Sequence, residues 1–424
     1  MDFNQMLDAI EKVDGIGFDL PGGDGRWLEF SRAEYARRYA RASTLMEELG
    51  LDALVCLQPV LLRWFTGFRT WLWVLPPLLP AAAILPRDPA GASLVGTVVE
   101  RGGLHETTWL DSARLYGLEE DPIESIARAI GDLGLDAGRL GFELGRGQRP
   151  YISPLDHRAL LEALPRAEIV DASEPLAALR ALKSDAEIAR IREAVRLTVV
   201  GYTAAFDALR PGLTEIDLTR IATHAMLDAG ARPAIEPATL IFLTGAERYR
   251  QVVQPAVDRA VQPGEQVWFD GGCVYEGYRA DFMRSAVIGR LPDRSERWYR
   301  VAIESTEAAL GAMGPGRPLG DAWTAAQRVL DAGGVGQSTL IPAMTGHGIG
   351  LDHWEPPLVS QPGTPWSEVI ARPGMVFSVE PTIVGPDGDD QWRAGLFVIE
   401  DQLVVTADGI EVLTGSMPRE LVRR

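Results

Sequence analysis

One run of residues, 267–285 (VWFDGGCVYEGYRADFMRS), constrains the fold of this chain more than any other stretch. Its apolar and aromatic segments predict a β-hairpin that turns at Glu276 and Gly277. Two acidic residues, Asp270 and Asp281, lie within these segments. In the predicted register they share one face of the hairpin as diagonal neighbours, roughly 7–8 Å apart by backbone.

The two carboxylates repel each other on a buried face unless a positive charge lies between them. A divalent metal ion would supply that charge, since hard cations take oxygen ligands. Alternatively, one Asp caps a turn and the other pairs with Arg279 or Arg284. The same register sets Tyr275 opposite Tyr278. The hairpin alone leaves both interpretations of its acidic residues open.

Length and charge set the broad class of the protein. At 424 residues the chain is too long for one ordinary core, which predicts two domains. Its hydrophobic share of 46% and charged share of 24% are typical of a globular protein. The net charge of −18 argues against nucleic acid or an anionic membrane as a partner. Cys56 and Cys273 lie in separate apolar runs and predict reduced, buried thiols. With no evident signal peptide, we expect a cytoplasmic protein.

Strand and helix patterns divide the chain near residue 178. In residues 1–178 they alternate, which predicts an α/β domain with a mixed sheet and helices on its faces. Residues 179–424 begin with a long helix and then become rich in strands. This second part is predicted to be α+β, with a curved antiparallel sheet.

Local signals predict several elements within these domains. The capping patterns at Ser31 and Ser184 mark the starts of two helices. Residues 1–30 are weakly patterned and are predicted to form a surface arm. The segment 61–68 (LLRWFTGF) is strand-like, and the proline-broken run 71–85 is typical of a buried strand and turn.

Three further segments of the second half place polar residues in strand-like runs: His347 in TGHGIGLDHWEPP, Glu380 in MVFSVEPTIV and Glu400 in GLFVIEDQLVV. A lone His is more often structural than a ligand, although the glycines that flank this one allow close approach. A buried, unpaired carboxylate is costly, so each Glu needs a partner, for which Arg393 or another Arg is one candidate. Taken together, four carboxylates and one imidazole suit two divalent ions bridged by carboxylates and a shared water.

The order Asp, Asp, His, Glu, Glu, carried by DGG, GYRAD, GHGIG, VEP and IED, resembles that of the pita-bread metallopeptidases. The branch resembled contains creatinase, aminopeptidase P and prolidase (Xaa-Pro dipeptidase). The first half is similar to the creatinase/prolidase N-terminal domain, including the phrase LRALKSDAEIARIREA. The resemblance covers nearly the whole chain. It implies an α/β N-terminal domain followed by an α+β pita-bread catalytic domain, and a homodimer.

The resemblance also implies a set of metal ligands. By position these are Asp270, Asp281, His347, Glu380 and Glu400. They would hold two divalent metal ions, with manganese the first expectation and zinc, cobalt or iron as alternatives. Asp281 and Glu400 would bridge the ions, and Glu380 would act in addition as general base.

The residues around this ligand set depart from the family's peptidases. Where those have a His upstream of the first Asp, this chain reads RYRQVVQP, which offers Val253. The family phrase VHEPP is HWEPP here, with Trp354 in place of the His and His353 one residue earlier. His353 would serve as a catalytic residue if a local bulge turned it inward. The family's Arg two residues before the last Glu is Val398. These changes favour a specialised small molecule as substrate.

An aromatic cluster in RWFTGFRTWLWV offers further candidates for substrate contact. Trp64 and Trp71 have π faces that bind cations or rings. Arg63 is a candidate partner for a substrate carboxylate. The alternatives are core and interface packing for the two Trp residues and a surface role for the Arg.

The leading hypothesis is a dinuclear-metal hydrolase resembling Xaa-Pro dipeptidase, in which water activated at the metals attacks an amide carbon. Its substrate would be a dipeptide or another small molecule. The alternative is a family member that acts on a nitrogen- or sulfonium-containing metabolite, of the ectoine-derivative hydrolase or dimethylsulfoniopropionate-lyase type. A third hypothesis is a catalytically silent pita-bread binding protein, and the presence of all five ligand residues argues against it.

Overall fold

The computed structural model describes residues 1–23, 25–232, 239–336, 339–384 and 395–424. The chain divides into two compact units, Met1–Arg180 and Ala181–Arg424. Among the described residues, no helix is both long enough and apolar enough to cross a membrane. Cys56 and Cys273 are buried free thiols, as predicted.

The first unit is built on a mixed sheet of six strands with the order β4-β3-β2-β1-β5-β6. The pairs β1–β2 and β2–β3 are antiparallel, whereas β1–β5, β5–β6 and β3–β4 are parallel, as expected of the predicted mixed sheet. In chain order the elements are α1 (Phe3–Glu11), α2 (Arg32–Leu49), β1 (Ala53–Cys56), α3 (Pro59–Thr66), β2 (Ala82–Pro86), β3 (Ser93–Thr97), α4 (Arg101–Thr107), β4 (Ala113–Tyr116), α5 (Pro122–Asp132), β5 (Arg139–Phe142), α6 (Pro154–Glu162), β6 (Glu168–Asp171) and α7 (Ser173–Ala181).

The predicted surface arm at residues 1–30 is wrong for its first part, which forms helix α1. Asp2 caps this helix by accepting from the backbone of Gln5, whose side chain accepts from Asp2 in return. One face of the helix is buried through Phe3, Met6, Leu7 and Ile10. This i, i+3, i+4, i+7 spacing was the signal that the interpretation missed.

The predicted strand at 61–68 is also wrong, because residues Pro59–Thr66 form helix α3. Pro59 stands in the first turn, where proline suits a helix, and Gly67 ends the helix at φ +86°. The run 71–85 matches its prediction only in part. Trp71–Val74 is a 3₁₀ turn without a buried side chain, and the buried strand begins at Ala82.

The second unit is α+β with largely antiparallel sheets, as predicted. Its larger sheets have the orders β19-β11-β8-β7 and β13-β12-β14-β17-β18, and β9–β10 and β15–β16 form two-stranded ribbons. The elements are α8 (Asp185–Ala208), α9 (Glu215–Asp228), β7 (Thr239–Thr244), β8 (Gln266–Gly272), β9 (Val274–Tyr275), β10 (Tyr278–Arg279), β11 (Arg284–Val287), α10 (Asp293–Ala312), α11 (Leu319–Ala332), β12 (Met344–Gly348), β13 (Glu355–Ser360), β14 (Val376–Val379), β15 (Thr382–Val384), β16 (Leu396–Val398), β17 (Asp401–Val405), β18 (Ile410–Val412) and β19 (Val422–Arg423).

One face of the sheet β7-β8-β11 packs on helices α8 and α9. Phe242, Val267 and Phe269 of this sheet share a core with Tyr202 and Phe206 of α8. Because side chains alternate along a strand, the residues between these sheet positions point to the opposite face. That opposite face carries the acidic residues.

The predicted hairpin is confirmed in its turn and in its register. Tyr275 pairs with Tyr278, and the same register continues through β8 and β11. Glu276 and Gly277 have φ values of +47° and +84°. Positive φ at both central residues is what the type I′ turn of a two-residue hairpin requires.

Candidate metal centre

The second unit supplies each of the five predicted ligand residues from or beside a strand. Asp270 lies in β8, and Asp281 lies between β10 and β11. His347 is within β12, and Glu380 directly follows β14. Glu400 lies between β16 and β17. Pairing of β12, β14 and β17 in one sheet places the last three side by side.

Asp281, His347 and Glu400 each direct one potential ligand atom into a common space. These atoms all lie within 4.8 Å of one another. Nε2 of His347 is 3.5 Å from Oδ2 of Asp281 and 3.7 Å from Oε1 of Glu380. Nδ1 of His347 lies 3.0 Å from the carbonyl oxygen of Gly348. If Nδ1 carries the proton and donates to that carbonyl, the lone pair of Nε2 faces the carboxylates, as in a ligating His.

The acidic side chains are buried without enough protein partners. Glu400 is 0% exposed and Asp281 is 2% exposed. Among the described residues, neither carboxylate oxygen of Glu400 has a hydrogen-bond partner, and neither does Oδ1 of Asp281. An ionised carboxylate buried in this way costs on the order of several kcal/mol. A divalent cation would remove that cost, and oxygen and imidazole donors are ligands that such ions take. The residues therefore fit a metal ion.

The electrostatics agree with this fit. Burial raises the pKa of Glu400 well above its ordinary value, and the charges of Asp281, Glu380 and Asp270 raise it further. Burial also raises the pKa of Asp270, with Asp281 as the next cause. The pKa of Glu380 is raised to about 7 by burial, against a lowering effect of His347. These directions are those of acids held together where a cation would stabilise their charged forms.

Two of the arginines considered as partners for these acids, Arg279 and Arg284, are engaged with other groups. Arg284 pairs with Asp401 at 2.7 Å and donates to the backbone carbonyl of Glu400 at 2.7 Å. Arg279 donates through Nε to a backbone carbonyl at 3.2 Å. Arg393 lies outside the described residues. Arg284 therefore supports the backbone at Glu400 and does not neutralise a hairpin carboxylate.

Two buried polar side chains that the sequence reasoning missed hold the acidic strands in place. The hydroxyl of Tyr202 lies 2.8 Å from the carbonyl of Gly271 and 3.2 Å from that of Phe282. Ser378 donates its hydroxyl to the carbonyl of Asp281 at 3.0 Å. These contacts join residues far apart in the chain, so no local pattern announces them.

His353 and Trp354 both lie beside this cluster. The pairing of β12 with β13 is irregular next to His347, and Nε2 of His353 is 3.0 Å from Oδ2 of Asp281. Nδ1 of His353 is buried and has no hydrogen-bond partner among the described residues. The indole of Trp354 stacks on the His347 ring, with centroids 4.8 Å apart and an interplanar angle of 27°. Trp354 is 49% exposed, so the stacked residue remains partly accessible to solvent.

The remaining candidates for substrate contact lie in other surroundings. Val253 is 79% exposed, whereas its neighbour Val252 is partly buried against a cluster of apolar side chains that includes Leu243 and Trp268. Trp64 is buried in the first unit, and Trp71 of the same unit is exposed. Arg63 is bound to Glu29 at 2.6 Å, so its guanidinium already has a carboxylate partner.

Comparisons with known families match both halves of the chain. The model of metallopeptidase family M24 matches residues 189–407. The model of the creatinase/prolidase N-terminal domain matches residues 38–182. The first of these spans contains all five predicted ligand residues.

Comparisons with individual proteins extend over most of the chain. The ectoine hydrolase of Halomonas elongata is 27% identical, over 93% of this chain and 98% of that protein. The Xaa-Pro dipeptidase of Lactobacillus delbrueckii is 26% identical, over 87% of this chain and 94% of that protein. The solved structure of the dipeptidase PepE from Mycobacterium ulcerans has a TM-score of 0.79 and 28% identity, and the match covers 93% of this chain and 99% of that one.

Proposed function

The chain belongs to metallopeptidase family M24, and from this premise we propose that it hydrolyses the amide bond of a Xaa-Pro dipeptide or of a small molecule resembling one. Family membership confirms the predicted fold class, an α/β N-terminal domain followed by a pita-bread catalytic domain. The observation that carries the proposal is the buried cluster of Asp281, His347 and Glu400, whose potential ligand atoms face one another.

For the metal content, we propose two divalent ions, manganese in the first place, held by Asp270, Asp281, His347, Glu380 and Glu400. The unpartnered oxygens of Asp281 and Glu400 and the excess of negative charge support this ligand set. When bound, such ions supply Lewis acidity, which lowers the pKa of a water ligand and polarises a carbonyl oxygen.

The side chains around the ligands would orient the substrate and move its protons. Oε1 of Glu380 would accept a proton from the attacking water and return it to the leaving amide nitrogen. His353, whose Nε2 lies 3.0 Å from Oδ2 of Asp281, would lie beside the bound substrate and act with Glu380 as a catalytic residue. Trp354 would cover one face of His347 and exclude water from it.

A second candidate is the hydrolysis of a non-peptide, nitrogen-containing metabolite. The relative named ectoine hydrolase matches this chain over 98% of its own length. The replacement of a family His by Trp354 also favours a substrate other than an ordinary dipeptide. Both candidate functions use the same five metal ligands. They differ in the substrate that binds beside those ligands.

We further propose a cytoplasmic homodimer with domains at residues 1–178 and 179–424. Two buried free thiols suit a reducing compartment. The compact units Met1–Arg180 and Ala181–Arg424 support a boundary in this region. The homodimer rests on the family resemblance, and light scattering on the purified chain tests it.

The function is tested by purifying the chain with added manganese, measuring bound metal by elemental analysis and assaying Ala-Pro, Gly-Pro, longer Xaa-Pro peptides and ectoine. We expect bound metal and release of proline from a Xaa-Pro dipeptide. Absence of bound metal would contradict both candidates. Bound metal with intact peptides and cleaved ectoine would contradict the dipeptidase and support the metabolite hydrolase.

A further inference from the structure

Asp281 lies in a short segment that belongs to no strand. β10 ends at Arg279 and β11 begins at Arg284, so residues 280–283 lie between the two. A residue within a strand is fixed by the ladder bonds of its backbone N–H and C=O groups. Asp281 is 2% exposed, and buried backbone groups need partners wherever they lie. The partners of the Asp281 backbone therefore show what fixes its position.

Two side chains of the neighbouring sheet are these partners. Oε1 of Gln402 in β17 accepts from the backbone N–H of Asp281 at 3.1 Å. Ser378 of β14 donates its hydroxyl to the backbone carbonyl of Asp281 at 3.0 Å. Nε2 of Gln402 donates in addition to the carbonyl of Arg279 at 3.2 Å. Gln402 and Ser378 are here called the Asp281 clamp.

The clamp acts on both peptide groups that flank the Cα of Asp281. Each of these groups is planar, so the conformation of the residue depends on φ and ψ alone. Bonds to the N–H on one side and to the C=O on the other restrict both angles. The clamp therefore restricts the direction in which the carboxylate of Asp281 points.

The clamp shares one face of its sheet with three of the proposed ligands. His347 is paired with Ser378, and Ser378 is paired with Gln402. Side chains of residues paired across neighbouring strands point to the same face. Alternation extended by one residue beyond each strand puts Glu380 and Glu400 on this face as well. The clamp therefore fixes its aspartate relative to the ligands that the other sheet supplies.

We propose that Gln402 and Ser378 are positioning residues that hold Asp281 where it binds metal. This inference rests on the proposed function, in which Asp281 is a ligand of the metal centre. A ligand that is already in place loses less conformational freedom when the ion binds, so the clamp raises the affinity for metal. Residues that orient metal ligands are typically worth about 10–100-fold in metal affinity.

The test measures the manganese affinity of the full-length chain by EPR titration, in which the sharp signal of the free ion gives the unbound fraction. Gln402→Met keeps an unbranched side chain of similar length and removes both amide contacts. We expect it to raise the dissociation constant for manganese by about 10–100-fold. Ser378→Ala removes the hydroxyl and should raise the constant by about tenfold. Ser378→Thr keeps a hydroxyl and should retain most of the affinity.

Gln266→Met is the matched control. Gln266 is 2% exposed, and its Nε2 donates to Oγ of Ser285 at 2.9 Å and to the carbonyl of Leu396 at 2.8 Å. Like Gln402, it is a buried amide that joins separate strands, but these bonds go to residues outside the proposed ligand set. Gln266→Met and Gln402→Met should both lower the midpoint of urea denaturation. The control should leave the manganese affinity unchanged.

Unchanged manganese affinity in Gln402→Met and Ser378→Ala would overturn the proposal, because the clamp would then only satisfy buried backbone groups. An equal loss of affinity in Gln266→Met would also overturn it, since lower stability alone would explain the loss. If one clamp variant does not fold, as judged by circular dichroism, the other decides.

Failure of the proposed function gives a different result. A wild type that binds no manganese would contradict the proposed function and this inference together. A wild type that binds manganese no more tightly than its clamp variants would contradict this inference alone. Binding that depends on the clamp, without cleavage of any peptide or of ectoine, would contradict the proposed hydrolysis and support the clamp.

Discussion

Glu400 is fully buried, yet neither of its carboxylate oxygens accepts a hydrogen bond from a described residue. Asp270, Asp281 and Glu380 add further negative charge around it. Glutamine has the same shape without the charge. In the metal-free protein we therefore expect Glu400→Gln to raise the unfolding free energy by about 1–3 kcal/mol, as measured by urea denaturation with a chelator.

The same substitution should lower the affinity for divalent metal by more than about 100-fold in calorimetric titration, since even residues that only support a ligand are worth about 10–100-fold. Glu411→Gln is the control, because Glu411 lies on β18 away from the proposed ligands, where it is half-exposed and pairs with Arg192 of α8. It should change neither quantity. A loss of metal-free stability in Glu400→Gln would show that Glu400 has a partner in the protein and would contradict its assignment as a ligand.

Glu143 of the first unit predicts a pH dependence of stability away from the candidate metal centre. Its buried carboxylate accepts from the backbone N–H groups of Leu57 and Gln58, directly before helix α3. Burial nevertheless raises its pKa to about 7. Because the folded state binds this proton more tightly than the unfolded state does, the stabilisation is complete below the unfolded pKa of about 4.3 and is lost as the pH rises through about 7.

Glu143→Gln keeps an acceptor for both N–H groups and cannot ionise. Relative to the wild type, this variant should gain roughly 3 kcal/mol of unfolding free energy between pH 4.5 and 7.5. Urea denaturation of both proteins across this range measures the difference, in which the other titrating groups cancel. Glu162→Gln, at an exposed position of α6, is the control and should show no such trend. A flat difference for Glu143→Gln would mean that Glu143 ionises normally in the fold.

At the scale of elements, the sequence was sufficient where a local signal fixes the structure. The Glu276-Gly277 turn determined the hairpin register, and the Ser184 capping box determined the start of α8. The prediction from sequence was wrong where it gave more weight to apolar content than to the residues that mark the ends of a helix. In α3 the aromatic residues suggested a strand, although Pro59 and Gly67 mark the ends of a helix.

The segment between β12 and β13, which carries His353 and Trp354, is anchored by a buried ion pair. Nζ of Lys183 lies 2.9 Å from Oε2 of Glu355, with both side chains less than 5% exposed, and Oε1 of Glu355 accepts from the backbone of Asp352. Removing one partner leaves an unpaired buried charge. We expect Lys183→Met to lower the unfolding free energy by about 3–5 kcal/mol in urea denaturation.

The double variant Lys183→Met/Glu355→Gln removes both charges and keeps the acceptor for Asp352. It should recover most of the loss, to within about 1–2 kcal/mol of the wild type. Arg128→Met breaks an exposed pair with Glu124 on α5 and is expected to cost less than about 1 kcal/mol. If the single and double variants were equally unstable, the ion pair would not be the anchor of this segment.

At the scale of the whole molecule, the sequence alone could not show whether the predicted ligand residues lie close together in space. The sequence indicated the chemistry of each motif. The positions of His347, Glu380 and Glu400 beside one another depend on the pairing of β12, β14 and β17, which are distant in the chain. The residue types alone suggested that four carboxylates and one imidazole could hold two metal ions, and the family resemblance then assigned the five side chains as one ligand set.

Metal removal should act on one part of the chain. All five proposed ligands belong to Ala181–Arg424 and none to Met1–Arg180. A ligand that binds only the folded state stabilises it by about 2.7 kcal/mol at a concentration 100-fold above its dissociation constant. Calorimetry with and without chelator should therefore show a transition of the second unit that falls by several degrees on metal removal.

The midpoint temperature of the first unit's unfolding transition should not change on metal removal. Glu143→Gln identifies this transition, because at pH 7.5 the substitution should raise the midpoint temperature of the first unit alone. Adding manganese back to the chelated protein should restore the second transition. If the chelator changed the midpoint temperature of neither transition, the result would contradict a metal site in this chain. If the chelator instead lowered only the midpoint temperature of the first unit, which is the transition that Glu143→Gln shifts, the metal would lie in the first unit. That result would contradict all five assigned ligands.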